Sequence, residues 1–295
     1  MTQVRDVIDK VNRQLLSGTV EERNKIASAL TTTSTSITLT YAPEGIRKGS
    51  LIEVNGEQMY VWDVAIPSRT LTVERGYGAT DAVPHAANSI VINNPRFPRN
   101  QILEAINDEL ADLSSPVNGL FQMKTTEVQW NGSDRMVDLP GVYEIQDLYS
   151  VHYRYLADDY PRLWKVRLLR NMPSNDFASR YALVIDDYIA RTGTLLIQYK
   201  APFDSINSES DDIEVTAGVP STAVDLLVLG AQIRMMAPRE IKRNFTESQG
   251  DTRRAEEVPA GAVAGSLANL LRLRRDRIVA EAMRLNRQYP TFVKR

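Results

Sequence analysis

Near the start of the chain, apolar side chains recur at helical spacing. Val4, Val7, Ile8, Val11, Leu15 and Leu16 share one face and Gly18 follows as a stop, which predicts a first helix. The period returns from about Pro98 to Leu113, where Ile102, Leu103, Ile106, Leu110 and Leu113 align; Pro98 and Asn100 are start signals and Pro116 lies beyond the end. A third helix is predicted after Pro220-Ser221-Thr222, with Val224, Leu226, Leu227, Val228, Leu229 and Ile233. It is apolar nearly all round, so it should be the most buried. The last runs from about Ser266 to Tyr289. Leu267, Leu270, Leu271, Ile278, Ala282, Leu285 and Tyr289 form its stripe, with arginines elsewhere.

Between these segments the alternation shortens to two. From Ser36 to Asn93 the chain offers short runs at Ile37–Thr40, Leu51–Val54, Gln58–Trp62 and Thr70–Val73. Asn55-Gly56 separates the second from the third, a strong hairpin signal, and about five strands in a small barrel or sandwich are expected. A second β region spans about Phe121 to Tyr199, with runs near Trp130, Leu139, Val151, Leu168, Ile185 and Tyr199. Asn131-Gly132 and Thr192-Gly193 mark turns, and roughly six to eight short strands favour a β-sandwich.

Helices of these lengths do not hold alone in water, so they must pack on one another or on a partner. The expected fold class is therefore α+β: a discontinuous antiparallel helical bundle with two inserted β modules. Residues 1–30, 98–118 and 206–295 would supply the bundle, 31–97 the small β module and 119–205 the sandwich-like one. Phe203 to Gly218, polar and acidic in the middle, reads as a return linker. Gln249 to Gly265, rich in Ala, Gly and charge, reads as a flexible stretch.

Charge narrows the functional classes. Lys and Arg number 35 against 37 Asp and Glu, for a net charge of -2, whereas a protein that grips nucleic acid usually carries a basic excess. With no cysteine, disulfides, Cys-ligated metals and thiol nucleophiles are excluded. Met1 to Leu16 mixes both charge signs, unlike a signal peptide, and no run approaches the roughly 18 apolar residues of a membrane span.

The search for catalytic chemistry finds little. His85 and His152 lie in different β regions with no Gly-x-Ser-x-Gly, and a turn or sheet-face role is the plainer account. The doublets Asp158-Asp159, Asp186-Asp187 and Asp211-Asp212 could be imagined as acid pairs or cation ligands, but loop acids are ordinarily just solvated. Gly76-Tyr77-Gly78 lacks the third glycine of a dinucleotide site. No catalytic residue, cofactor or metal is expected, and the chain is read as a non-enzyme. Trp62, Trp130 and Trp164 could stack on sugars, although their strand alternation favours the core.

The final helix gathers Arg272, Arg274, Arg275, Arg277, Arg284 and Arg287 against Asp276 and Glu281. Such a face can dock on an acidic protein surface, stay solvated, or touch DNA phosphates; a protein partner is favoured, since no aromatics interleave for base stacking. After Tyr289, Pro290 ends the helix and Phe292 and Val293 sit near the terminus, where apolar residues call for a cover. Tyr289, Phe292 and Val293 are therefore read as a docking tail.

Two stretches carry a family resemblance. Val73-Glu74-Arg75-Gly76-Tyr77-Gly78-Ala79-Thr80 through His85 to Val91 resembles a strand–turn–strand pattern of phage virion proteins, with Ala79 inserted and Asn88 where a glycine is usual. Val219-Pro220, Asp225 to Ala231, Arg239-Glu240, Glu256 to Ala262, the Arg-rich helix, and Arg99 to Asn107 are similar to the head-to-tail adaptor (head-completion, or connector) proteins of tailed phages. The resemblance implies a virion structural protein at the neck, made in the host cytoplasm. It implies a homo-oligomeric ring of about twelve copies beneath the portal, closed by symmetry. Portal protein and tail or neck proteins would be its partners, the C-terminal tail would reach the portal, and DNA would pass through the lumen only as cargo, with no membrane involved. Other virion rings or baseplate components, and a carbohydrate-binding receptor-recognition protein, are the competing readings.

Overall fold

Helical spacing at the chain's ends and middle resolves into five helices in a computed structural model that describes residues 2–16, 21–139, 141, 144–154, 160–187, 192–247 and 262–290, with side chains left out at 238–247 and 262–264. They are α1 (Val4–Leu16), α2 (Arg99–Leu113), the one-turn α3 (Ile213–Thr216), α4 (Val224–Glu247) and α5 (Ala262–Gln288). The expected flexible stretch falls mostly outside the described residues, as do Phe292, Val293 and the Asp158-Asp159 doublet.

One hydrophobic cluster joins Val4, Val7, Ile8 and Val11 of α1 to Ile102, Ile106, Leu110 and Leu113 of α2, Leu226 and Leu227 of α4, and Ile278 and Leu285 of α5. Elements far apart in sequence thus bury their stripes on each other, which is what short helices need. The first half of α4 is buried as its composition predicts, with Leu226, Leu227 and Ala231 fully covered. Gly230 is required there: a Cβ would fall 2.0 Å from the Glu109 carboxylate of α2.

The predicted stripe of α5 is only partly inward. Ile278 and Leu285 are buried, but Leu271 is 47% exposed, together with Leu273, Val279 and Met283. A helix packed along one flank covers a narrower arc than its apolar residues occupy, so part of the stripe faces out.

The first β region forms a six-stranded antiparallel sheet, in spatial order β1 (Arg23–Lys25), β6 (Ile90–Asn93), β3 (Leu51–Val54), β4 (Glu57–Ala65), β5 (Thr70–Tyr77) and β2 (Ser36–Thr38). The sheet curls until its outer strands meet, with Ala27 N–H donating to the Thr38 carbonyl and Thr40 N–H to the Lys25 carbonyl, both at 2.8 Å. Asn55 and Gly56 turn the β3–β4 hairpin at φ 48° and 87°, the left-handed pair a tight hairpin needs. Ile26, Ile37, Ile52, Met59, Val61, Leu71 and Val91 fill the interior. One expectation is corrected here: Arg23–Lys25, Ile26 and Leu30 belong to this sheet and its core, not to the helices. The pairing partner, β6, lies some 65 residues downstream, so no local period could announce it.

The second β region supplies two three-stranded antiparallel sheets. One runs β10 (Val166–Leu169), β11 (Ala182–Ile185), β8 (Met136–Asp138); the other β7 (Gln122–Trp130), β12 (Gly193–Ala201), β9 (Asp147–Arg154). Their inner faces share a core built around Trp130, Val151, Tyr153, Leu183, Leu195 and Ile197.

The stretch read as a return linker is instead an ordered strap. Phe203, Ile206, Ile213, Ala217 and Val219 all enter the helical cluster, Asn107 of α2 exchanges two hydrogen bonds with Ile206, and Asp212 caps α3. Its acids had masked regularly spaced apolar anchors.

Candidate functional site

α5 sorts its arginines by direction. Arg274 donates to Glu109 at 2.7 Å and pairs with Asp112, both on α2. Arg277 forks onto Asp225 of α4 at 2.8 and 3.0 Å and reaches the Thr222 carbonyl. Arg284 pairs with Glu281, itself 3% exposed and receiving the Thr222 hydroxyl. These three arginines are spent inside the chain: Arg274 and Arg277 fasten α5 to α2 and α4, while Arg284 pairs within α5. Burial pushes the Glu109 carboxyl up, against the pull of Arg274 and Arg234.

Arg272, Arg275 and Arg287 are exposed and form no ion pair among the described residues. On the helical wheel, Arg272 and Arg275 lie on the arc of Leu271, Val279 and Met283, which are 47%, 46% and 58% exposed. This arc leaves aliphatic area in contact with water and, interleaved with it, guanidinium groups able to fork onto carboxylates.

Of the predicted docking tail, Tyr289 is turned inward. Its ring meets Phe121 and Tyr149 edge-on, at 6.2 and 5.7 Å. Tyr289 thus seats the end of α5 against Phe121 and Tyr149 of the second β region. Phe292 and Val293 lie outside the described residues.

The tryptophans divide. Trp130 is buried in the core shared by the two three-stranded sheets, as its alternation predicts, but Trp62 and Trp164 are 50% and 64% exposed. Trp62 stands on the outer face of the barrel beside Tyr60, 4.8 Å away and edge-on, and Glu74 holds its indole N–H at 3.1 Å; Tyr77 joins Tyr60 at 5.4 Å. Trp164 carries the Arg162 guanidinium over its ring at 4.6 Å. Alternation placed these residues on a face, and closure of each sheet decided which face was outside.

The stretch around Arg75 and His85 acquires a physical meaning. Both side chains converge on Glu57, at the start of β4. The Arg75 fork meets the Glu57 carboxylate at 2.7 and 2.8 Å, His85 Nε2 lies 2.8 Å away, and the N–H groups of Gly76 and Val83 donate at 3.1 Å. The remaining Arg75 N–H groups reach the carbonyls of Thr31, Ser34 and Val83. Burial alone would raise the Glu57 carboxyl; bonds from Arg75, Val83, His85 and Gly76 outweigh it and hold it below the usual range. Every bond closes within the chain and the side chains are sealed, so this is a staple for the turn from Gly76 to His85 and not a reaction centre. Glu57 was missed in the sequence because its partners lie 18 and 28 positions away; an acid directly after an Asn-Gly turn was the available signal.

The aspartate doublets also have structural duties beyond solvation. Asp186 pairs with Arg135 and Arg167, Asp187 accepts two backbone N–H groups, and Asp211 ties the turn at Ser208. Among the described residues no group of His, Cys, Asp and Glu could hold a metal ion, and no helix is long and apolar enough to cross a membrane. No protein-family model and no curated protein matches the chain.

Proposed function

We propose that this chain is a structural subunit of a tailed-phage neck, an adaptor that forms a ring beneath the portal, joins head to tail and lets DNA pass through its lumen. In this reading the helices form one discontinuous antiparallel bundle, into which the small barrel and the sandwich are inserted. The observation that carries it is the outward arc of α5, where the exposed Leu271, Val279 and Met283 are interleaved with Arg272 and Arg275, which form no ion pair among the described residues. A surface of that kind supports a non-enzymatic role in which a neighbouring protein supplies the missing cover. The resemblance around Asp225–Ala231 and the arginine helix points to portal, tail or neck proteins and further copies of the chain as those neighbours. A stable subunit contact buries over about 1,000 Å² in total.

The test is reconstitution with the portal of the parent phage, read by negative-stain imaging. Added rings are expected beneath the portal, and Leu271→Glu with Val279→Glu should abolish them; subunits that never add to portal overturn the reading. Truncation after Tyr289 is expected to leave heads that package DNA but neither retain it nor join tails. A second reading, receptor recognition through carbohydrate, is favoured by the exposed Tyr60–Trp62–Tyr77 group, because sugars stack on such rings. Glycan-array hits lost in Trp62→Ala would select it.

A further inference from the structure

Between α1, the barrel and the strap lies an open cleft of about 890 Å³. From α1 it is lined by Arg5, Asn12 and Arg13, from β1 by Arg23, from β3 by Glu53 and from the start of α2 by Arg99. Its acids and cations are unequally committed. Asp9 and Glu209 share Arg99, with Glu209 at 2.8 Å, so one guanidinium offsets one of these two carboxylates. Arg5 and Arg13 form no ion pair among the described residues, and Arg23 reaches Glu21 only at 3.9 Å. Arg5, Arg13, Arg23 and Arg99 thus line the opening against Asp9, Glu209 and the buried Glu53, which leaves an excess of positive charge.

Two buried groups lie beneath the cleft. Asn12 is 8% exposed, and its side-chain oxygen, itself sealed from water, has no hydrogen-bond partner among the described residues. Glu53 is 1% exposed, and burial, against the pull of Arg99, lifts its carboxyl to about 7, so it adds little repulsion toward an anion below that pH. Leu16, Ile90 and Ile92 give the cleft an apolar side, and no aromatic residue lines it. Stacking of bases thus has no platform, whereas an extended chain with alternating acidic and aliphatic side chains matches both walls.

We infer that this cleft binds an acidic peptide segment of a partner protein, its carboxylates on Arg5, Arg13 and Arg23. The inference stands without the neck reading, because it uses none of the α5 surface.

The experiment is fluorescence anisotropy on the full chain with a fluorescein-labelled octapeptide of alternating Glu and Leu, in low salt at pH 6.5. Saturable binding is expected. Arg5→Glu with Arg13→Glu should weaken it at least tenfold, and so should Arg23→Ser, while Arg47→Glu, which does not line the cleft, should leave it within twofold. These arginines are exposed, and circular dichroism verifies that the variants fold. Absence of saturable binding, or binding indifferent to the cleft substitutions, overturns the inference. So does a single-stranded oligonucleotide that binds the same arginines more tightly than the peptide, or inorganic phosphate displacing the peptide at equal concentration.

Discussion

Glu53 and Glu57 flank one hairpin turn, four positions apart, and both are buried to within 2% of fully covered, yet their carboxyls are displaced in opposite directions. Glu57 receives both prongs of Arg75, an imidazole nitrogen and two backbone N–H groups, and is held low. Glu53 accepts a backbone N–H from Arg99, whose guanidinium is committed to Asp9 and Glu209, and is driven to about 7. Near-equal exposure therefore does not fix the charge: how deep the carboxylate lies and how many donors reach it decide together. The sealed acid staples a loop, and the under-supplied one lies beneath an open cleft.

Breaking the staple should cost most. Glu57→Ala leaves Arg75 buried and unpaired, and about 3–5 kcal/mol of stability should disappear, measured by urea denaturation. Retention of near wild-type stability would show that water compensates the arginine. His85→Phe, which removes one donor and keeps the volume roughly filled, should cost about 1–2 kcal/mol by the same measurement.

Between those two in size falls the opposite experiment on Glu53. Its folded-state value of about 7 lies above the ordinary 4.5, so the folded protein holds the proton more tightly than the unfolded one. That stabilisation is complete below about pH 4.5 and is lost as pH rises toward 7, so Glu53→Gln should be neutral at low pH and more stable at pH 8 by about 3 kcal/mol. Glu57 has the reverse sign. Its contribution is present above its ordinary 4.5 and is lost as pH falls through the lower folded value. Melting curves of wild type and both variants across pH 3–8 separate the two slopes; parallel profiles would erase the distinction.

The smallest effect tests the same contrast on α5. Arg272→Glu and Arg287→Glu touch solvated arginines and should change stability by less than about 0.5 kcal/mol. Arg274→Met, which deserts the buried Glu109 and Asp112, should cost more, about 1–3 kcal/mol at neutral pH. Equal losses in the two sets would mean that the arginines are not divided into inward and outward groups.

What the sequence alone determined was local. The stripes at Val4–Leu16, Ile102–Leu113 and Leu226–Leu227 announced helices and their buried faces, and Asn55-Gly56 announced its hairpin, because period and turn chemistry depend on near neighbours. The arginines of α5, the motif from Arg75 to His85 and the apolar residues Tyr289, Phe292 and Val293 could also be singled out as residues. Only the tertiary structure decided which arginines were already spent, that Glu57 lay between Arg75 and His85, that Trp62 and Trp164 faced outward, and that Arg5, Arg13 and Arg23 opened onto one cleft. Partners and exposure are properties of pairs distant along the chain, set by sheet closure and helix packing, and no local pattern contains them.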